Sequence, residues 1–153
     1  MKKIVSLIFL TLSVFLFPTD LHSACVKEMP VPVKCAIPKI DDAFERAEAV
    51  FVGRVLNQKT EGGVKVFEFE VEKYWKGVEG KKIKIYVYET PRFQAQFEKG
   101  ESYLIFAEAD EESGKLFDRR CSRTKSMKND FGDLKDDLEK LGEAKTCIGL
   151  GSK

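Results

Sequence analysis

Apolar and polar residues alternate most regularly in the middle of the chain. Phe67, Phe69 and Val71 take every second place, with Glu68, Glu70 and Glu72 between them. A period of two puts the first set on one face of a β-strand and the second on the other, so the three glutamates read as a wet face. Ile83, Ile85 and Val87 alternate with Lys82, Lys84 and Tyr86 in the same way. Residues 49–56 (AVFVGRVL) are apolar and β-branched, and Gly53 inside them marks a bulge or tight bend, as at the corner of a small barrel. Residues 103–107 (YLIFA) are apolar throughout, which predicts the most buried strand. A fifth strand is predicted over 115–121. Glu61-Gly62-Gly63, Glu98-Lys99-Gly100 and Ser113-Gly114 are turns between these runs, and Tyr74-Trp75-Lys76-Gly77 closes the second.

Helical spacing is confined to the two flanks. Asp41 or Asp42 can cap a short helix through Phe44, Ala47 and Ala49, with Glu45 near its positive end. Phe131, Leu134, Leu138 and Leu141 recur at helical spacing, and Gly142 stops that helix. Upstream, Met29-Pro30-Val31-Pro32-Val33 forbids a helix and favours an extended lead-in. The fold class is therefore mainly β: a short N-terminal helix, five strands and a C-terminal helix. Five short antiparallel strands with a glycine-bent first strand fit an OB-type closed barrel. A five-stranded sheet with one packed helix has the same periodicity. Phe51, Phe67, Phe69, Phe106 and Trp75 are read as core or near-core, and Phe69, Ile85 and Ile105 should point into one core. Tyr86 and Tyr88 fall on the face opposite Ile83, Ile85 and Val87, where an exposed pair would form a binding patch.

The N-terminus changes the compartment. Lys2 and Lys3 precede an apolar run over 4–17, and Pro18, Thr19, Asp20, Ser23 and Ala24 follow. That is the order of a secretory signal peptide over 1–24, too short to span a bilayer comfortably. Cutting before Ala24 or before Cys25 satisfies the small-residue rule to different degrees. Leu21-His22-Ser23-Ala24-Cys25 approaches a lipoprotein box with its leucine one place early, so a lipid on Cys25 is the alternative, and membrane attachment is expected only then. The exported part, 25–153, is read as one domain with its core over about 35–141, secreted or periplasmic, and a monomer.

Without residues 1–24 the acidic and basic residues are equal, 24 of each. They are mixed along the chain, and no excess of Lys and Arg points to a nucleic-acid partner. The single histidine, His22, lies in the leader. The exported part then offers no Ser-His or Cys-His pair and lacks the usual zinc ligand, so no catalytic residues, metal or cofactor are assigned and the chain is read as a non-enzyme.

Four cysteines remain: Cys25, Cys35, Cys121 and Cys147. In an exported protein an even count reads as two disulfides, with three connectivities open. Their spacing fits neither a metal site nor a thioredoxin-like redox pair.

Four segments, in order, carry a resemblance: Ala49-Val50-Phe51-Val52-Gly53-Arg54-Val55, Tyr74-Trp75-Lys76-Gly77, Gly100-Glu101-Ser102-Tyr103-Leu104 and Cys121-Ser122-Arg123-Thr124. Over about 35–141 the chain resembles bacterial domains similar to the tissue inhibitors of metalloproteinases. The resemblance implies an OB-type barrel, a netrin-like module, and binding of an extracellular or periplasmic protein, a zinc metalloprotease. In that family a Cys-x-Cys begins the mature chain, and the first cysteine's free α-amine and carbonyl chelate the protease zinc. Here Val33-Lys34-Cys35 matches it, with Cys35 as the second cysteine and Val33 in place of the first. The family's partner to that first cysteine falls at Ala95, within Phe93-Gln94-Ala95-Gln96-Phe97. Both halves of one disulfide are thus replaced. The resemblance leaves Cys35–Cys121 as the family's second bridge and Cys25–Cys147 as an added one. Val33, Lys34, Cys35, Phe93 and Ala95 form the implied partner-binding ridge. The function implied is that of a metalloendopeptidase inhibitor whose chelating end is lost. The alternative is an envelope-associated structural or adhesion module without inhibitory activity.

Overall fold

The structure is a computed structural model that describes residues 35–88, 97–128 and 133–147. It is mainly β with two short helices. Helix α1 spans Ile40–Arg46; strands β1 (Ala49–Glu61), β2 (Val64–Lys76), β3 (Lys82–Tyr88) and β4 (Ser102–Ala109) follow. Two-residue strands β5 (Leu116–Phe117) and β6 (Lys125–Ser126) precede helix α2 (Asp133–Leu141), and β7 (Lys145–Thr146) ends the described chain. The sheet runs β1-β2-β3-β5-β4-β6; β1 also pairs with β4, which makes a hydrogen-bonded ring of five strands. β6 lies outside the ring on β4, and β7 pairs with β2.

Two apolar clusters share the ring's wall. Phe51, Phe67, Phe69, Ile85, Val87 and Ile105 fill the first, and the predicted trio Phe69, Ile85 and Ile105 is fully buried there. Val50, Val52, Leu104 and Phe106 point the other way, under Ile40, Ala43 and Leu134 of the two helices. β4 is apolar throughout because both of its faces are covered: Ile105 and Ala107 look inward, and Leu104 and Phe106 look toward the helices. Phe106 belongs to this second cluster, and Trp75 packs against its margin while its Nε1 donates to the Gly142 carbonyl at 3.0 Å.

The two resemblance segments around Gly53 and Gly77 have steric reasons for their glycines. The register of β1 against β2 shifts between Val52 and Gly53, the expected bulge, and a Cβ on Gly53 would sit 2.9 Å from the Phe51 ring. Gly77 has φ +62°, and a Cβ there would lie 1.8 Å from the Glu48 carbonyl oxygen. That approach closes the end of β2 over the start of β1. Next to it, Lys76 Nζ donates to the Phe44 and Glu45 carbonyls at 3.2 and 3.1 Å, satisfying the end of α1.

Three expectations are corrected. Asp41 and Asp42 lie in the first turn of α1 rather than at its cap; Lys39 holds that place without a side-chain bond, and the two carboxylates instead oppose the helix dipole's positive end. The fifth strand covers only Leu116–Phe117: the Asp118 N–H still bonds to β3 at the Tyr86 carbonyl, and the chain then turns, with the Ser122 N–H on the Arg119 carbonyl and Cys121 at φ 65°. β5 runs parallel to β3, not antiparallel, meeting it at Tyr86 and Phe117. Leu134 and Leu138 take their expected places in α2, with Gly142 at φ +69° ending it; Phe131 lies outside the described residues.

Candidate functional site

The N-terminal segment 35–39 is neither helix nor strand, extended at Lys39, and exposed except at half-buried Pro38. Two ties fix it to the loop after β5. Cys35 and Cys121 form a disulfide, Cα–Cα 5.2 Å, across 86 positions of sequence. Cys121 holds φ 65°, the left-handed region that non-glycine residues rarely adopt. Two residues on, Arg123 Nη1 donates to the Pro38 carbonyl at 2.6 Å.

The same guanidinium is held from below. Arg123 Nε and Nη2 donate to the two carboxylate oxygens of Asp137 at 2.9 and 2.5 Å, a bidentate fork. Asp137 in α2 is fully buried, and Lys125 of β6 pairs with it at 2.9 Å. Burial alone would raise the Asp137 pKa; hydrogen bonding from Arg123, with the charge of Lys125, outweighs this and holds it below the ordinary carboxylate value. Asp137 therefore ties α2 to the N-terminal segment through Arg123 and to β6 through Lys125.

A second buried carboxylate braces the loop itself. Thr124 Oγ1 accepts from the Phe106 N–H at 3.2 Å and donates to Asp118 Oδ1 at 2.9 Å. Burial pushes the Asp118 pKa up to about 6, against hydrogen bonds from Ser122 and Thr124 that favour its charged form. Between the ties stands Ile37, 59% exposed, one of two large hydrophobic side chains so exposed among the described residues.

Of the five residues read as a ridge, Cys35 alone is among the described residues, exposed and bonded to Cys121. Val33, Lys34, Phe93 and Ala95 lie outside the described residues, as does Cys25. Cys147, expected to bridge to Cys25, is a free and buried thiol whose Sγ lies 3.8 Å from the Gly80 carbonyl oxygen. Ile37, Arg123, Lys125 and Asp137 were not singled out as site residues by sequence. Only Arg123 had a signal, its place in Cys121-Ser122-Arg123-Thr124.

Among the described residues no three His, Cys, Asp or Glu side chains converge to hold a metal ion, and no helix is long and apolar enough to cross a membrane. What the arrangement offers is an apolar side chain on a segment pinned at Cys35 and at Pro38. Searches against protein-family descriptions and against curated proteins returned no match for this chain.

Proposed function

We propose that the chain is an exported protein-binding module, with the Cys35–Cys121 edge as its contact ridge and the ring of five strands as an OB-type closed barrel beneath it. The observation that carries this reading is Ile37, exposed by 59% between two ties. An apolar anchor on a fixed backbone loses little conformational freedom on binding, which is how a small interface gains affinity. The disulfide is consistent with an extracellular or periplasmic location, as the leader over 1–24 implies. By resemblance the partner is a zinc metalloprotease, met without the chelating α-amine because Val33 replaces the terminal cysteine.

The test compares three proteins against a zinc endopeptidase. The unaltered exported chain should leave the enzyme active at about micromolar concentration, since surface contacts alone must supply the affinity. A chain beginning at residue 33 with Val33→Cys and Ala95→Cys should inhibit, and Ile37→Asp in that background should weaken inhibition about tenfold or more. Potent inhibition by the unaltered chain, abolished by acetylating its N-terminus, would refute the lost chelating end. A folded redesign that fails to inhibit would remove the resemblance as a guide to function.

A further inference from the structure

The ring of five strands has a thin seam between β3 and β5, which meet at Tyr86 and Phe117 alone. Along an antiparallel strand the main-chain groups turn alternately to one neighbour and to the other. The Tyr86 carbonyl accepts the Asp118 N–H on the β5 side, whereas the Lys81 carbonyl accepts the Val71 N–H of β2 at 2.8 Å. The even-numbered residues of β3 therefore face β5. Lys82 and Lys84 turn both N–H and C=O to a side on which no described strand pairs with them. The connection before β5 uses its groups within its own turn: Gly114 N–H donates to the Asp110 carbonyl at 2.8 Å, and Asp110 N–H to the Lys115 carbonyl at 2.9 Å. Two donors and two acceptors at positions i and i+2 are left as a short open sheet edge.

A groove of about 680 Å³ opens beside this edge, with Lys82 and Ile83 lining one side and Gly114 and Leu116 the other. Ile83 and Leu116 are half-buried against the first apolar cluster, so the floor of the seam is apolar. An extended polypeptide matches this arrangement. Its own N–H and C=O groups face the edge at every second residue, and the side chain between them turns to the floor. Charge selects the polypeptide. The cross-strand neighbours of an added strand are the exposed Lys82 and Lys84, with Lys81 before them and Lys115 across the seam. Lys82 lies 3.6 Å from Glu68 and Lys115 sits 4.9 Å from the Tyr86 ring centre, while Lys84 has no ion pair among the described residues. Across the seam Asp110 is held by the Ser113 hydroxyl at 2.7 Å, which leaves Glu111 and Glu112 at the tip of that turn. Glu48 and Glu79 line the other end of the groove, beside Gly77, together with Lys76 and Lys145. Directly opposite the edge, then, opposite-charge pairing favours acids. We propose that the seam is a strand-addition site for a partner's extended segment in which an apolar residue stands between two acidic ones.

The test titrates the isotopically labelled exported chain with the acetylated pentapeptide EVEVE, up to about millimolar, and follows amide NMR and hydrogen exchange. In the free protein the Lys82 and Lys84 amides should exchange fast, while those of Ile83 and Ile85, which turn to β2, exchange slowly. The peptide should slow Lys82 and Lys84 by about tenfold and shift Ile83, Gly114 and Leu116. KVKVK should do neither, and nor should EVEVE N-methylated throughout, which cannot donate to the edge. Lys84→Glu, an exposed change that should melt with the parent, should weaken EVEVE about fivefold and admit KVKVK. Fast exchange that no peptide slows, equal binding of EVEVE and KVKVK, or binding that survives N-methylation would overturn the proposal. So would Lys82 and Lys84 amides already slow in the free chain, since this chain's own residues or a second copy would then hold the edge. Cys35, Ile37 and Arg123 take no part in these readouts, so the seam and the ridge stand or fall separately.

Discussion

Two buried aspartates, nineteen positions apart in sequence, are pushed in opposite directions by what surrounds them. At Asp118 burial dominates, Glu108 adds repulsion, and the pKa rises from the ordinary 3.8 to about 6 against the hydrogen bonds from Ser122 and Thr124. The folded state therefore prefers the protonated acid. Its contribution to stability is complete below the ordinary pKa and is lost as pH rises through about 6. Asp118→Asn keeps an oxygen for the Thr124 hydroxyl and removes the buried charge. It should stabilise the protein at pH 8 by up to about 3 kcal/mol and change little at pH 4, measured by urea denaturation at both values. An equal effect at the two pH values would show that the charge is not the cause. Asp137 runs the other way. Its lowered pKa contributes stability above the ordinary carboxylate value, lost as pH falls through the lowered one. Asp137→Asn leaves the Arg123 fork and Lys125 without their counter-charge and should cost about 3–5 kcal/mol at pH 7. The same denaturation series checks it, and a cost below about 1 kcal/mol would mean that Asp133, 3.7 Å from Lys125, takes over.

Among the elements, the strands that alternate were the most legible, because a half-buried strand writes its two faces directly into the sequence. β2 behaves as its pattern requires: Phe67, Phe69 and Val71 are buried, while Glu68, Glu70 and Glu72 find Lys82, Arg54 and Ser102. β4 hid its architecture, since YLIFA says that both faces are covered without saying that one cover is a pair of helices. The shortness of β5 was also invisible. Residues 115–121 carry no proline, and past Asp118, whose N–H still bonds to β3 at Tyr86, the carboxylate of Asp118 bonds to the Thr124 hydroxyl, a tertiary contact that no local pattern announces. At the site, family resemblance rather than periodicity brought Cys35 and Cys121 together. Ile37 and the Arg123–Pro38 bond left no trace, because an isolated exposed isoleucine has no period and the bond spans 85 positions. Turn glycines were legible as turns, but not in their different weights. Gly77→Ala would drive a methyl into the Glu48 backbone and also strain φ, whereas a Cβ on Gly63, at φ +81°, meets nothing within 4 Å. Gly63→Ala should cost about 1–2 kcal/mol. Gly77→Ala should cost more than about 3 kcal/mol or prevent folding. Comparable thermal melts for the two would mean that the β1–β2 junction yields where backbone meets backbone.

Across the whole described molecule, the N-terminal segment is joined to the rest by three kinds of contact: α1 packing, the disulfide, and the Arg123 bond. The disulfide acts mainly on the unfolded chain, where closing a loop of 86 positions removes conformations worth about 4–5 kcal/mol. Cys35→Ser with Cys121→Ser should lower stability by roughly that amount, or by less where the unfolded chain is already compact. The Arg123 bond depends on the disulfide in a way that stability alone does not show. With Cys35 fixed, the Pro38 carbonyl waits 2.6 Å from Arg123 Nη1, and forming the bond orders nothing further. Without the bridge, the same bond must first hold a loose, exposed segment in place, and its net worth falls by that ordering entropy. Arg123→Lys is the suitable probe, because it keeps a positive charge beside Asp137 but loses the fork that reaches both the carboxylate and the carbonyl. Four proteins complete the cycle: the parent, the double serine variant, Arg123→Lys, and all three changes together. Chemical denaturation should show the combined loss to be smaller than the sum of the separate losses by about 0.5 kcal/mol or more. Strict additivity would mean that the two ties act independently, and that α1 packing through Ile40 and Ala43 already holds the segment without either.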